Sequence, residues 1–387
     1  MGFAKRQLEE IEARGYNDVD TFVCQNCFPS EEYLQQTIIE NAIDNETCSY
    51  CNDNDSSAKV CSLSTILPVI VSGLQYEYDM PENCLPYETR EGGWQGTTYD
   101  TYDLISDEVS LESDKLHSDI VNSIHQEVWC KHNPFSLSYD EMLKYGWDEF
   151  KTLVKHHSRF FFFYYKPKET YDFDEIPPSL ILQKIGDEIE NLNLLHTITD
   201  EKLYRIVWIK ENEAMETSRL ASPPNHLCHN SHRMSPRGIS MFYASLDKKT
   251  AQCETQQKGS EDNVSICGIW QTKEPLLLID LSDIEKMPSL FDEDNRHKRD
   301  AIMFLQGFIR DISQDIDNGN QNNIEIEYLP TQIIAEYFRY AFTINDNKID
   351  GLIYPSAKNK EGKNVVLFMD NDICIEKLSL LEYDKLT

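Results

Sequence analysis

Two groups of residues in this chain have the types and spacing for chemistry. Cys24-x2-Cys27 and Cys48-x2-Cys51 form two knuckles about twenty residues apart, within the range of structural zinc sites. Each knuckle offers two thiolates from one tight turn, which is what a tetrahedral zinc ion takes. Four thiolates leave no coordination position for water, so such a site is structural and not catalytic. The competing reading is four reduced, partly buried thiols in a reducing compartment. Cys61 and Cys84 are substitutes should one of the four not ligate. The second group is HRMSPRGISMFYASLDKKTAQCE, residues 232 to 254. It sets Arg233 and Arg237 before a strand-like run carrying Tyr243, then runs through a turn to Glu254, a lone carboxylate after small residues.

The elements that must position these groups differ along the chain. Between the knuckles, PSEEYLQQTIIENAI predicts a helix with Ser30 as N-cap and Leu34, Ile38 and Ile39 on one face. The stretch from Tyr78 to Glu112 has no clear period and reads as irregular connection. DKLHSDIVNSIHQEVW and SYDEMLKYGWDEFKTLVKHHSRFFFF predict helices whose aromatics belong in a core. KETYDFDEIPP is the linker candidate, which divides the chain into 1–178 and 179–387. After it come an amphipathic helix, ILQKIGDEIENLNLL, and the short β-rich runs LYRIVWI, ISMFYASL, VSICGIWQT, PLLLIDL, GLIYPSA and NVVLFM. RDAIMFLQGFIRDISQDI and TQIIAEYFRYAFT predict helices among them. The expected fold class is α+β, a mostly helical zinc-stapled N-terminal domain followed by a mixed-sheet domain. Neither a Rossmann glycine fingerprint nor a P-loop follows a strand.

A chain of 387 residues is long enough for two domains and a sizeable core. A formal charge of −31, spread over both halves, argues against a protein that grips phosphate backbones. No apolar run approaches the length of a membrane span. The opening MGFAKRQLEEIEARGY has charges where a signal peptide is apolar, and Arg6 stands where a myristoylation signal takes Ser or Thr. A cytoplasmic protein is expected.

LYRIVW, RMSPRGISMFYAS with TAQCE, and LPTQIIAEYF leading into IDGLIYPSA and NVVLF resemble, in this order, the RES domain family, named for its Arg, Glu and Ser. The resemblance covers roughly 180–387, and the preceding segment with VCQNCF and TCSYC resembles the HEPN-type domain that accompanies some RES domains. It implies an ADP-ribosyltransferase-like fold, NAD as a substrate and not a redox cofactor, and a toxin or defence effector. Breaking the nicotinamide–ribose bond builds positive charge on the sugar, and a nearby carboxylate stabilises it. Glu254 takes that role. Arg205 and Arg233 suit the pyrophosphate, Tyr243 stacks on nicotinamide or hydrogen-bonds to it, and Ser356 contacts a phosphate or ribose. Nothing makes Ser356 a nucleophile, since no His and Asp partners accompany it. The catalytic set is therefore Glu254, Arg205 and Tyr243, and the NAD-binding set Arg205, Arg233, Tyr243 and Ser356, with Arg219, Arg237 and Tyr204 in support.

The bland alternatives are a surface ion pair for Arg205, a core aromatic for Tyr243, a helix-end charge for Glu254 and a satisfied turn for Ser356. Water, phosphate or a protein side chain as the attacking group gives an NAD hydrolase, an NAD phosphorylase or an ADP-ribosyltransferase, and sequence does not choose among them. The rival class is a HEPN-type ribonuclease, which carries Arg and His at short helical spacing. Residues 1–178 lack that spacing, and Arg219 with His226 straddles two prolines. His226, Cys228, His229 and His232 fit no common metal pattern and read as a solvated loop. An antitoxin or activating protein is an expected partner of the first domain. A homo-oligomer is left open.

Overall fold

Leucine and isoleucine at helical spacing organise the first of two compact units. The computed structural model describes residues 14–51, 58–165, 168–211, 214–255, 263–314 and 324–386, so the opening segment with Arg6 lies outside the described residues. One unit comprises Met1–Ser138 with Lys286–Arg299, the other Tyr139–Glu285 with Asp300–Thr387. No helix among the described residues is long and apolar enough to cross a membrane.

In the first unit, β1 (Phe22–Cys24) pairs antiparallel with β2 (Val60–Ser62), and α1 (Glu32–Glu40) lies between them in sequence. Leu34 and Ile38 of α1 are buried as its spacing predicts, but Ile39 is exposed. Glu31, and not Ser30, holds the N-cap position and makes no side-chain cap bond. The central element is α2 (Leu63–Glu77), capped by Ser62 and buried along Leu63, Ile66, Leu67, Ile70, Val71 and Leu74. Pro68 sits inside it and removes one backbone donor. The stretch expected to be irregular holds β3 (Tyr78–Asp79), α3 (Pro81–Cys84), β4 (Tyr99–Asp100) and α4 (Thr101–Glu108), the last capped by Asp100. Next come α5 (Asp114–Ser123), capped by Ser113, and β5 (Val128–Lys131), which pairs with both β3 and β4.

The second unit opens with α6 (Tyr139–His156), a helix predicted to belong to the first domain. Its Trp147 stacks on Phe150, meets the ring of Phe308 edge-on and donates from Nε1 to Asp311. The aromatic run after it is not core: Phe160 and Phe161 are 84% and 70% exposed, and only Phe162 is buried. The helix stops at His156, so that run has no helical face to turn inward.

There follow α7 (Ile181–Asn191), β6 (Leu195–Ile198), β7 (Lys202–Lys210), β8 (Phe242–Ser245), α8 (Lys248–Glu254), β9 (Asn263–Thr272) and β10 (Leu276–Asp280). Then come α9 (Arg299–Ser313), α10 (Leu329–Tyr340), β11 (Gly351–Pro355), β12 (Lys363–Leu367), α11 (Asn371–Lys377) and β13 (Leu378–Leu386). The strands form one eight-stranded sheet in the order β13-β9-β7-β8-β12-β11-β10-β6. Only β10 and β11 pair in parallel, so the sheet is mixed, as expected. The chain is α+β, with helices prominent before residue 139 and the large sheet after it. Phe242, Trp270, Leu278, Ile353, Val365 and Leu367 fill the core against the sheet.

Candidate functional site

The sheet register brings β7, β8 and β12 side by side, and α8 follows directly from β8. Asp247 caps α8: its Oδ1 accepts from the Thr250 amide at 2.8 Å and its Oδ2 from the Thr250 hydroxyl at 2.5 Å. The short helix delivers Glu254 as its last residue. A carboxylate at a helix C-terminus is disfavoured by the local dipole, so it needs donors from elsewhere. Ser356 Oγ donates to Glu254 Oε1 at 2.6 Å and Asn364 Nδ2 donates to the same oxygen at 2.7 Å. Neither bond uses Oε2.

Both donors are themselves fixed. Ser356 Oγ accepts from the amides of Lys358 and Asn359 at 3.2 and 3.0 Å, which leaves its one proton for Glu254. Ser245 lies opposite Asn364 across β8 and β12, and its hydroxyl donates to Asn364 Oδ1 at 2.8 Å. That bond orients the amide with its nitrogen toward Glu254.

Arg205, on β7, donates from Nε to the Leu220 carbonyl at 3.1 Å and from Nη1 to the Tyr243 carbonyl at 2.8 Å, with its guanidinium 5.3 Å from the centre of the Phe242 ring. Backbone carbonyls accept two of its five protons without neutralising its charge, and burial lowers its pKa from the ordinary value. Tyr243 shares a 2.9 Å hydrogen bond with Ser235 Oγ, and its ring centre stands 5.4 Å from that of His232. Burial raises the Tyr243 and Tyr354 phenols, so both remain neutral hydroxyls. Burial, followed by the charge of Arg205, lowers the His232 imidazole and keeps it neutral at neutral pH.

Arg205, Tyr243 and Glu254 line one cavity of about 410 Å³, together with Tyr204, His232, Tyr354 and Asn364. That is the size of an ordinary small-molecule site. Ser356 does not line it but holds Glu254 from behind. Arg233 is absent from the lining; it donates to the Ile312 carbonyl at 2.7 Å and lies over the Tyr328 ring. Arg219 donates to the Trp208 carbonyl, and the exposed Arg237 pairs with Glu325. Asn364, Ser245, Tyr354 and His232 were missed in the sequence as parts of the site. A signal existed for one of them: an Asn at the head of the apolar run NVVLF needs a partner.

In the first unit, the sulfurs of Cys24, Cys27, Cys48 and Cys51 lie within 4.8 Å of one another. Cys24 is 3.6 Å from Cys27 and 3.4 Å from Cys51, and Cys27 is 3.6 Å from Cys48. Four sulfurs about 2.3 Å from one tetrahedral ion are separated by distances of this order. The cluster can hold a metal. Cys61 and Cys84 are not part of it, and His226, Cys228, His229 and His232 form no ligand cluster among the described residues. None of the eleven cysteines is in a disulfide.

Two family models match the chain. Residues 41–168 match HEPN/RES N-terminal domain 1, and residues 202–378 match the RES domain. The second span contains every residue of the cavity constellation, and the first contains Cys48 and Cys51 but not Cys24 and Cys27. No curated protein and no solved structure matches the chain.

Proposed function

We propose, for a chain that carries a HEPN/RES N-terminal domain 1 followed by a RES domain, that the cavity takes NAD and that Glu254 promotes cleavage of its nicotinamide–ribose bond. The observation that supports this most is the Glu254 carboxylate, tied at one oxygen by Ser356 and Asn364 in a cavity that also holds the unneutralised Arg205. The bond pair leaves with the nicotinamide nitrogen, and positive charge develops on the ribose. A fixed carboxylate with one oxygen uncommitted is preorganised to stabilise that charge. Arg205 attracts the pyrophosphate, and Tyr243 offers a neutral hydroxyl and a ring face. Water then adds hydroxide to the ribose and releases a proton, or phosphate adds in its place. The ADP-ribosyltransferase-like fold is part of this reading. So is toxicity in a growing bacterium, unless a partner protein acting through the first domain restrains it.

Zinc is the ion we assign to the four thiolates, where it would be structural and would suit a reducing cytoplasm. The test of the catalytic reading is chromatographic: purified chain should deplete NAD and release nicotinamide. The ribose product with and without phosphate separates hydrolysis from phosphorolysis, and a labelled protein would indicate ADP-ribosyl transfer. No nicotinamide under any of these conditions would remove the reading.

A further inference from the structure

A second set of donor atoms lies in the first unit, outside everything the RES site uses. Asp79 closes β3, Cys84 closes α3 and His132 follows β5. The antiparallel pairing Tyr78↔Lys131 and Asp79↔Cys130 brings His132 back beside Asp79. One ligand atom from each of Asp79, Cys84 and His132 lies within 4.8 Å of the others.

The orientation of these groups carries the argument. His132 Nε2 lies 3.0 Å from the Gln75 carbonyl oxygen. A carbonyl only accepts, so Nε2 bears the proton and Nδ1 of the neutral ring is a lone pair. That lone pair faces Asp79 Oδ2 at 3.8 Å, acceptor against acceptor. The other carboxylate oxygen, Oδ1, is already occupied by the Met80 amide at 2.7 Å and Asn83 Nδ2 at 2.9 Å. Cys84 Sγ stands 4.0 Å from the same Oδ2. Oxygen, nitrogen and sulfur thus converge on one point, with the imidazole and the carboxylate held by bonds made at their far atoms. Metal-binding histidines and carboxylates are held in this way.

We propose that Asp79, Cys84 and His132 form a second metal site, selective for a divalent ion of zinc's class and separate from the four-cysteine cluster. Mixed nitrogen, oxygen and sulfur donors suit zinc better than calcium or magnesium. Bond lengths of about 2.0 to 2.3 Å place tetrahedral ligand atoms roughly 3.3 to 3.8 Å apart, so an entering ion draws these atoms inward from the 3.8 and 4.0 Å that separate Asp79 Oδ2 from His132 Nδ1 and Cys84 Sγ. His132 and Asp79 are 44% and 32% exposed, free enough to follow. Binding releases the Cys84 proton to solvent and ties α3 to β5. The competing occupant of the gap between Nδ1 and Oδ2 is a proton, which would make an ordinary imidazolium–carboxylate pair.

The experiment counts metal. Full-length chain, kept reduced, is loaded with zinc, desalted and measured by mass spectrometry for zinc per chain. About two ions are expected in the wild type and about one in Cys84→Ser, in His132→Ala and in Cys48→Ser, because each binding energy is local to its own ligands. His132 and Cys84 are not buried, so circular dichroism should show both variants folded. A wild type holding only one ion, retained in Cys48→Ser and lost in His132→Ala, supports this site and sinks the four-thiolate one. A zinc content that neither Cys84→Ser nor His132→Ala changes overturns the proposal.

Discussion

Glu254 is useful only where its free oxygen points, and two neighbours decide that. Ser356 and Asn364 both donate to Oε1, and Asn364 is in turn fixed by Ser245. Glu254→Gln keeps the shape, removes the charge and gives Ser356 and Asn364 a neutral acceptor. It should lower nicotinamide release by about 10²-fold or more while the melting temperature holds. Asn364→Ala tests positioning separately from charge. A hydrogen bond to a charged group contributes about 1.5–3 kcal/mol, which as lost alignment is about 10- to 100-fold in kcat. KM for NAD should change little, since the cavity and Arg205 remain. Wild-type kcat in Asn364→Ala would show that Ser356 alone positions the carboxylate. Glu254, Tyr243 and Arg205 were legible in the sequence because each stands in a motif resembling the RES family, and all three line the cavity. Arg233 stands in the same kind of motif and does not line it. Residue type cannot say whether an arginine turns toward the cavity; Arg233 instead finds the Ile312 carbonyl, which is 79 residues away in the chain.

At the scale of elements, the site is a junction between α8 and the turn that joins β11 to β12. Asn359 Nδ2 donates to Thr250 Oγ1 at 2.7 Å, and Gly362 lies against the same threonine. A Cβ at Gly362 would overlap the Thr250 side chain, whose hydroxyl anchors the start of α8 to Asp247. Gly362→Ala should therefore displace α8 and, with it, Glu254. The expected stability loss is about 1–3 kcal/mol by denaturant titration, accompanied by a fall in kcat although no cavity residue is altered. An active variant of unchanged stability would mean that α8 is not anchored through Thr250. The central strands and long helices of this unit were visible as apolar runs and helical periods. Edge strands β6 and β13 and the short helix α8 were not, because edge positions carry weak alternation and a seven-residue helix shows hardly two turns of pattern.

The whole molecule does not follow the order of its sequence. Lys286–Arg299 lies inside the span that matches the RES domain, yet it belongs to the first compact unit. Leu290 and Phe291 are 3% and 1% exposed in that unit's core. A Cβ on Gly73 would collide with the Phe291 ring, so the glycine is the space this ring occupies. Arg296 adds hydrogen bonds to the Ser72 carbonyl at 3.0 Å and hydroxyl at 3.2 Å, with its guanidinium 4.5 Å from the centre of the Tyr76 ring. The two apolar residues of SLFDEDNR carry no period that could announce a core. A division at 178/179 therefore separates Leu290 and Phe291 from the residues that bury them, and separates α6 from Asp311 and Phe308. A chain beginning at Tyr139 keeps α6 but exposes both apolar side chains, each worth about 1.5–3 kcal/mol of burial. It should aggregate in size-exclusion chromatography. Changing Leu290 and Phe291 to serine in that shortened chain should restore a monodisperse protein that still releases nicotinamide from NAD. In the full chain, Phe291→Ala should cost the first unit about 3–5 kcal/mol, read by hydrogen exchange in α2. A shortened chain that is soluble and active without the two serines would show that Lys286–Arg299 finds cover within the RES domain itself.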